Sequence, residues 1–212
     1  MTDTNTSSKI LDAAETLFAN QGFHATTLRQ ITRTAGVNLA AVHYHLGSKQ
    51  ALVHAVFERY LDDLNRQRLR QLENAVTEAS GRRLERILEA LVEPALLLGG
   101  QDDRNFARLL VRAFAENDRD LHRFVRDRYS HVMKRFAAAI SEALEQAGEK
   151  KPDDAELRRQ LDFIVGALTY AMTYDAGDGN PTQVAASLVR FAATALRGTH
   201  GSPALTPEPA EA

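Results

Sequence analysis

Between positions 27 and 49 the sequence gathers side chains that can hold a phosphodiester backbone and read base edges: Thr27, Arg29, His43, Tyr44, His45 and Lys49, with Leu39, Ala40 and Ala41 interleaved. A threonine hydroxyl, a phenol and an ammonium each donate to phosphate oxygens, and an arginine reaches either a base or the backbone. Alanine and leucine permit close approach to bases and thymine methyl groups, while a histidine donates or accepts at a base edge or a phosphate. The same histidines do not suit a metal. Side chains two positions apart on a helix point about 200° apart, so one ion cannot easily collect both His43 and His45. The chain lacks a phosphate-cradling glycine loop, a His-Glu-x-x-His pair and a nucleophile elbow. It also has no cysteine, which removes thiolate zinc sites, disulfides and cysteine nucleophiles by count. Neither an enzyme nor a bound cofactor or metal is expected.

A second group of side chains, further along, suits a small ligand. A pocket needs apolar walls with a few polar anchors, and Arg112 sits between Leu109, Leu110, Ala113 and Phe114. Arg112 is therefore the candidate anion anchor, with Phe114, Tyr129, Phe163 and Tyr170 as candidate wall residues. At helical spacing each of them also fits an ordinary place in a core or on a solvated face.

All of these positions fall on helices. Apolar residues recur at helical spacing nearly throughout and strand-type alternation is missing, so the fold class is all-α. The spacing predicts helices over about 7–21, 27–35, 39–46, 48–78, 82–98, 104–116, 119–146, 153–174 and 182–197. Their ends are well marked: Thr27 and Gln30 have capping-box spacing, Gly22 and Gly36 follow helix ends, Asn38 and Ser48 suit N-caps, and Pro181 suits a first helical position. The first three helices form a head over 1–47, in which 24–46 has the layout of a helix-turn-helix. A larger body follows over 48–197, and 198–212, rich in Gly, Ser, Pro and Ala, is expected to be disordered. The eighth and ninth helices are apolar on more than one face, through Phe163, Ile164, Val165 and Leu168, then Val184, Leu188, Val189 and Ala192. Such a helix is either wholly buried or half committed to a partner.

Composition allows a sizeable core, with 44% hydrophobic residues in 212. A formal net charge of −2 gives no basic footprint over the whole chain, so nucleic-acid affinity must rest on helix N-termini and a few well-placed cations. No apolar run approaches membrane-spanning length and the N-terminus is polar, so a cytoplasmic location without membrane contact is expected.

Three stretches, Thr26-Thr27-Leu28-Arg29-Gln30-Ile31, Ala35-Gly36-Val37-Asn38 and His43-Tyr44-His45-Leu46-Gly47-Ser48-Lys49-Gln50-Ala51-Leu52, resemble the N-terminal signature of the TetR family of transcriptional regulators. The match covers about residues 7–55. It implies that Thr27 caps the second helix beside a phosphate, that Arg29 reaches a base or the backbone, that Leu39 to Ala41 face bases, and that Tyr44 and Lys49 grip phosphates. His43 stands where the family more often has tyrosine, and Gly47 where it often has proline or a polar residue. Val37 to Val42 and Tyr44-His45 look most like the branch of fatty-acid-responsive repressors of lipid-degradation genes. The resemblance implies a repressor that binds a double-stranded DNA operator as a homodimer through its eighth and ninth helices. It further implies release by a small apolar effector, with long-chain acyl compounds as that branch's class.

Overall fold

Ile10, Ala14 and Phe18 recur at helical spacing and are wholly buried, which makes one face of α1 (Asp3–Gln21) the floor of the head. The structure is a computed structural model and describes residues 3–77, 81–97, 101–116, 118–174 and 180–198. Helix α1 begins four residues earlier than its apolar face requires, because Asp3 to Thr6 contain neither proline nor glycine to stop it. At its other end Gly22 takes φ 87° and its N–H donates to the Phe18 carbonyl at 2.9 Å. Thr27 then opens α2 (Leu28–Ala35) with the full capping box: its hydroxyl accepts from the Gln30 N–H at 3.2 Å, and the Gln30 carboxamide accepts from the Thr27 N–H at 2.7 Å. Gly36, at φ 68°, ends that helix. Asn38 starts α3 (Leu39–Leu46) by accepting from the Ala41 N–H at 2.8 Å, and Gly47 closes it.

The body is built on two long helices, α4 (Lys49–Thr77) and α7 (Arg119–Gln146), packed together with α5 (Arg83–Leu97). Eight residues of α5 are buried, and it touches α4, α7, α8 (Asp154–Tyr174) and α9 (Pro181–Gly198), so it is the body's central element. Helix α6 (Gln101–Ala115) lies between the head and α8. All nine regular elements among the described residues are helices, and none of these is long and apolar enough to cross a membrane. The tail expected to be disordered lies, beyond Gly198, outside the described residues.

Head and body share one core. Rings run in contact from Phe18 to Phe23 (5.4 Å between centroids), to Phe57 (5.9 Å), and on to Phe106 of α6 (6.3 Å), which stacks on Tyr60 (4.9 Å). Beside this ladder the Glu15 carboxylate, on a residue only 4% exposed, accepts from Arg59 and Tyr60 of α4 and from the Asn105 side chain of α6 at 2.9 Å. Burial works against the Arg59 charge, but Asp12 and Glu15 outweigh it and hold the guanidinium above its ordinary pKa. At the far end of α6, Glu116 accepts the N–H groups of Phe23 at 2.8 Å and His24 at 3.0 Å and meets the His24 ring. Arg112, one turn earlier, donates to the Asn20 carbonyl at 3.1 Å. Helix α6 thus clamps the turn between α1 and α2 with two opposite charges.

Two measurements check this join. Glu15→Ala leaves Arg59, Tyr60 and Asn105 without their shared acceptor, so a loss of about 3 kcal/mol is expected, read as a lower urea midpoint with unchanged slope. For Glu116, burial favours the neutral acid, but the hydrogen bonds from His24 and Phe23 outweigh it and hold the carboxyl below the ordinary range. A depressed folded value means that the contribution is complete above the ordinary carboxylate pKa and is lost as pH falls through the lower one. Glu116→Gln should therefore be less stable than the parent by about 1 kcal/mol near neutrality, with the gap closing below about pH 4.

Candidate nucleic-acid interface and ligand site

The capping box consumes the Gln30 N–H and leaves those of Leu28 and Arg29 at the open, positive end of α2, beside the Thr27 hydroxyl. Thr27, Arg29, Leu39, Ala40, His43 and Tyr44 are exposed, and Ala41 and Lys49 are half-buried. Tyr44 is 80% exposed and Leu39 39% exposed, which places a large aromatic and an aliphatic side chain on the outer side of a short helix. Val42 is wholly buried and holds α3 to the head, which turns Leu39, Ala40, His43 and Tyr44 outward together. His43 is further constrained: its Nδ1 lies 3.0 Å from the Gly47 carbonyl, so Nδ1 donates there and the Nε2 edge is turned outward. Lys49 has two of its ammonium hydrogens engaged, to the carbonyls of Thr26 at 2.9 Å and His24 at 3.2 Å. It therefore fastens α4 to the turn before α2, with one hydrogen left for an outside acceptor. The side chain of His45 lies outside the described residues.

The residues expected to line one ligand pocket take different places among the described residues. Arg112 is held at the head–body join by the Asn20 carbonyl. Phe163 and Tyr170 stand 71% and 64% exposed on α8, because that helix buries the faces carrying Ile164 and Leu168 instead. The Phe114 side chain lies outside the described residues. Tyr129 borders a groove of about 810 Å³ between α7 and α8, together with Met133, Ala137, Leu157 and Leu161 and a rim of charged side chains. Burial, helped by Asp162, pushes the Tyr129 phenol above its ordinary pKa.

Sequence reasoning passed over Arg68, which is only 6% exposed in the centre of the body. Its Nε donates to the Leu91 carbonyl at 2.9 Å, and no carboxylate pairs with it among the described residues. Burial pulls its guanidinium down to about 10, so it remains charged at neutral pH. A signal for it exists in the sequence: Leu61, Leu64, Arg68, Leu72 and Ala75 fall on one stripe of α4, and the arginine replaces an apolar residue in it.

A third feature is an uncovered apolar face. Phe191 of α9 is 59% exposed, and with Ala167, Val184 and Leu188 it lines a shallow depression beside the outward rings of α8.

Comparison with known proteins gives this geometry its context. Residues 10–56 match the model of bacterial regulatory proteins of the tetR family, and residues 89–195 match the tetracyclin repressor-like C-terminal domain. The HTH-type transcriptional repressor KstR2 of Rhodococcus jostii is 41% identical over 56 residues, which are 26% of this chain and 28% of that protein. The transcriptional regulator SrpR of Pseudomonas putida is 29% identical over 168 residues, 77% of this chain and 72% of that one. Among solved structures, the fatty acid degradation regulator FadR of Bacillus halodurans superposes with a TM-score of 0.68 at 15% identity, covering 93% of this chain and 97% of that one. AibR, solved with isovaleryl coenzyme A and operator DNA, gives 0.65 at 20% identity, covering 88% and 97%. The two family models take in the head and most of the body, and the chain belongs to the TetR family of helix-turn-helix, DNA-binding transcription regulators, which are not enzymes.

Proposed function

We propose that this regulator is a repressor that binds a pseudo-palindromic operator as a two-fold dimer and is released by a small apolar effector. The observation that carries the DNA part is the outward face made by Thr27, Arg29, Leu39, Ala40, His43 and Tyr44, with half-buried Ala41 between them, backed by the open end of α2 and by Lys49. Backbone amides, Tyr44 and the remaining Lys49 hydrogen hold phosphates, joined by the Thr27 hydroxyl when its proton turns from the Gln30 carboxamide oxygen, 2.8 Å away, to DNA, which fixes register without reading sequence. Arg29, the small side chains of α3 and the His43 Nε2 edge then face base edges.

The dimer rests on Phe163, Tyr170 and Phe191, whose large exposed rings are continuous with the depression on α9. Pairing the same face of two copies covers all of them and sets two α3 helices one or more DNA turns apart, about 34 Å or a multiple. The effector class is supported by the likeness to FadR and AibR, whose names speak of fatty acid degradation and of an acyl-coenzyme A. An acyl compound suits a helical body with an apolar interior.

The operator is found by selecting genomic fragments with the purified protein. On such a fragment Lys49→Ala should weaken binding on every sequence alike and flatten the log–log salt dependence by about one unit, whereas His43→Ala should change base preference with little change in slope. An unchanged slope removes Lys49 from the phosphate contacts. For the dimer, Phe191→Glu changes a side chain already exposed in the protomer, so the fold survives while self-association and operator binding fall together in sedimentation and gel-shift measurements. A folded monomeric variant that still binds the full operator tightly would refute the arrangement.

A further inference from the structure

Among the described residues Arg68 is a cation without an anion. Arg66 on the same helix meets Asp63, Arg128 on the facing helix meets Glu58 and Asp62, and Arg135 meets Glu73. Arg68, more deeply buried than any of these, has one carbonyl, at 2.9 Å from its Nε, as its hydrogen-bond partner among the described residues. A guanidinium carries five N–H donors in a planar fork matched to a carboxylate, and a buried charge lacking an opposite charge is unfavourable. Asn65, one turn away on α4 and 8% exposed, buries a side-chain oxygen with no partner among the described residues. The polar atoms of this spot are thus incompletely satisfied inside a helical interface whose adjoining turns bury Leu64, Leu72, Leu88 and Val132.

The groove of about 810 Å³ between α7 and α8 has Tyr129 in its wall, and Tyr129 is near enough to Arg68 to act on its charge.

We propose that Arg68 anchors the carboxylate of an otherwise apolar ligand, which lies along the α7–α8 groove and passes Tyr129 to end between α4, α5 and α7. A single unpaired guanidinium balances one negative charge, which selects a monoanionic carboxylate over a phosphate dianion, and the surrounding leucines and valine select an apolar remainder. The proposal rests on the effector-responsive reading above and adds the residue and the ligand group that carry it. It moves the anion anchor from Arg112, which serves the head–body join, to the centre of the body.

The test uses the full chain and matched probes: straight-chain carboxylates from butyrate to palmitate, each beside the primary alcohol of the same length, with inorganic phosphate as a control. Thermal unfolding of the parent protein should shift upward by about 5 °C or more at a hundredfold excess over Kd for the best carboxylate, and by much less for its alcohol or for phosphate. Arg68→Met keeps the length and removes the charge. It should unfold at the same temperature as the parent or higher without ligand, and bind that carboxylate about 10- to 100-fold more weakly by calorimetry. The proposal is overturned if no carboxylate exceeds its alcohol, if Arg68→Met keeps the carboxylate response, or if phosphate matches the best carboxylate. Gel shifts on the selected operator separate the two levels. Release by isovaleryl coenzyme A without any response to free carboxylates rejects Arg68 as anchor and leaves the regulator reading intact, whereas failure to retard any genomic fragment rejects that reading while unfolding still reports on the anion site.

Discussion

A head of fewer than fifty residues cannot bury enough apolar surface to stand alone, and everything else in this molecule follows from how that deficit is met. Helix α1 presents Ile10, Ala14 and Phe18 on one face, but α2 and α3 together add only Ile31 and Val42 as wholly buried apolar residues. The missing volume comes from Leu52, Val56 and Phe57 of α4 and from Phe106 of α6. Glu15 fixes the register of that shared core. A carboxylate taking hydrogen bonds from Arg59, Tyr60 and Asn105 is satisfied in one arrangement only, so α1, α4 and α6 cannot slide past one another without leaving a buried charge unpaired.

Because the head has no independent core, the body governs its position through two contacts rather than one. Helix α4 enters the head directly, and Lys49 ties its first turn to the carbonyls before Thr27. Helix α6 grips the other side of the same turn through Arg112 and Glu116. Both contacts converge on residues 20–26, immediately ahead of the capped end of α2. A displacement of α6 relative to α4 in the body is therefore delivered to the element that offers amides to phosphate. For a ligand to cause such a displacement, it must bind one arrangement of these helices better than the other, and the shift cannot exceed that preference.

The local grammar of the chain was readable without coordinates. Thr27 with Gln30, Gly36, Asn38 and Ser48 mark helix ends through bonds made within a few residues, and each lies at the end it was expected to mark. The exposed side of α3 was equally legible, since Val42 declares the buried face of a short helix. What periodicity does not disclose is the identity of the partner across an interface. Arg112 and Phe163 both sit among apolar neighbours in the sequence, yet one faces α1 and the other faces solvent, because α6 and α8 are rotated by contacts with residues about ninety positions away or on another face. Glu116 gave no sign of its role either, since its partners are backbone N–H groups of a distant turn. Arg68 was visible as a break in an apolar stripe and was passed over because long helices carry many arginines on solvated faces.

The distribution of charge reconciles an acidic chain with DNA binding. A net charge of −2 is the sum of unlike parts, and the body holds most of its cations in local pairs: Arg83 with Glu142, Arg86 with Glu89, Arg159 with Glu156, and Arg197 with both Glu85 and Glu149. Paired charges add little field at a distance beyond a Debye length of roughly 8 Å in cellular salt. Arg29 on α2 has no such pair among the described residues, and the open end of that helix adds its own partial positive charge. Unpaired Arg29 and the helix end thus put positive charge at the proposed DNA face although the chain as a whole is acidic, while the acidic remainder opposes adhesion to DNA elsewhere. Affinity built this way depends on geometry more than on charge count, since a few donors must meet phosphates at fixed positions. A small rotation of the head is thus enough to lose it, which is the condition under which a clamp such as that of α6 on the α1–α2 turn can act as a switch.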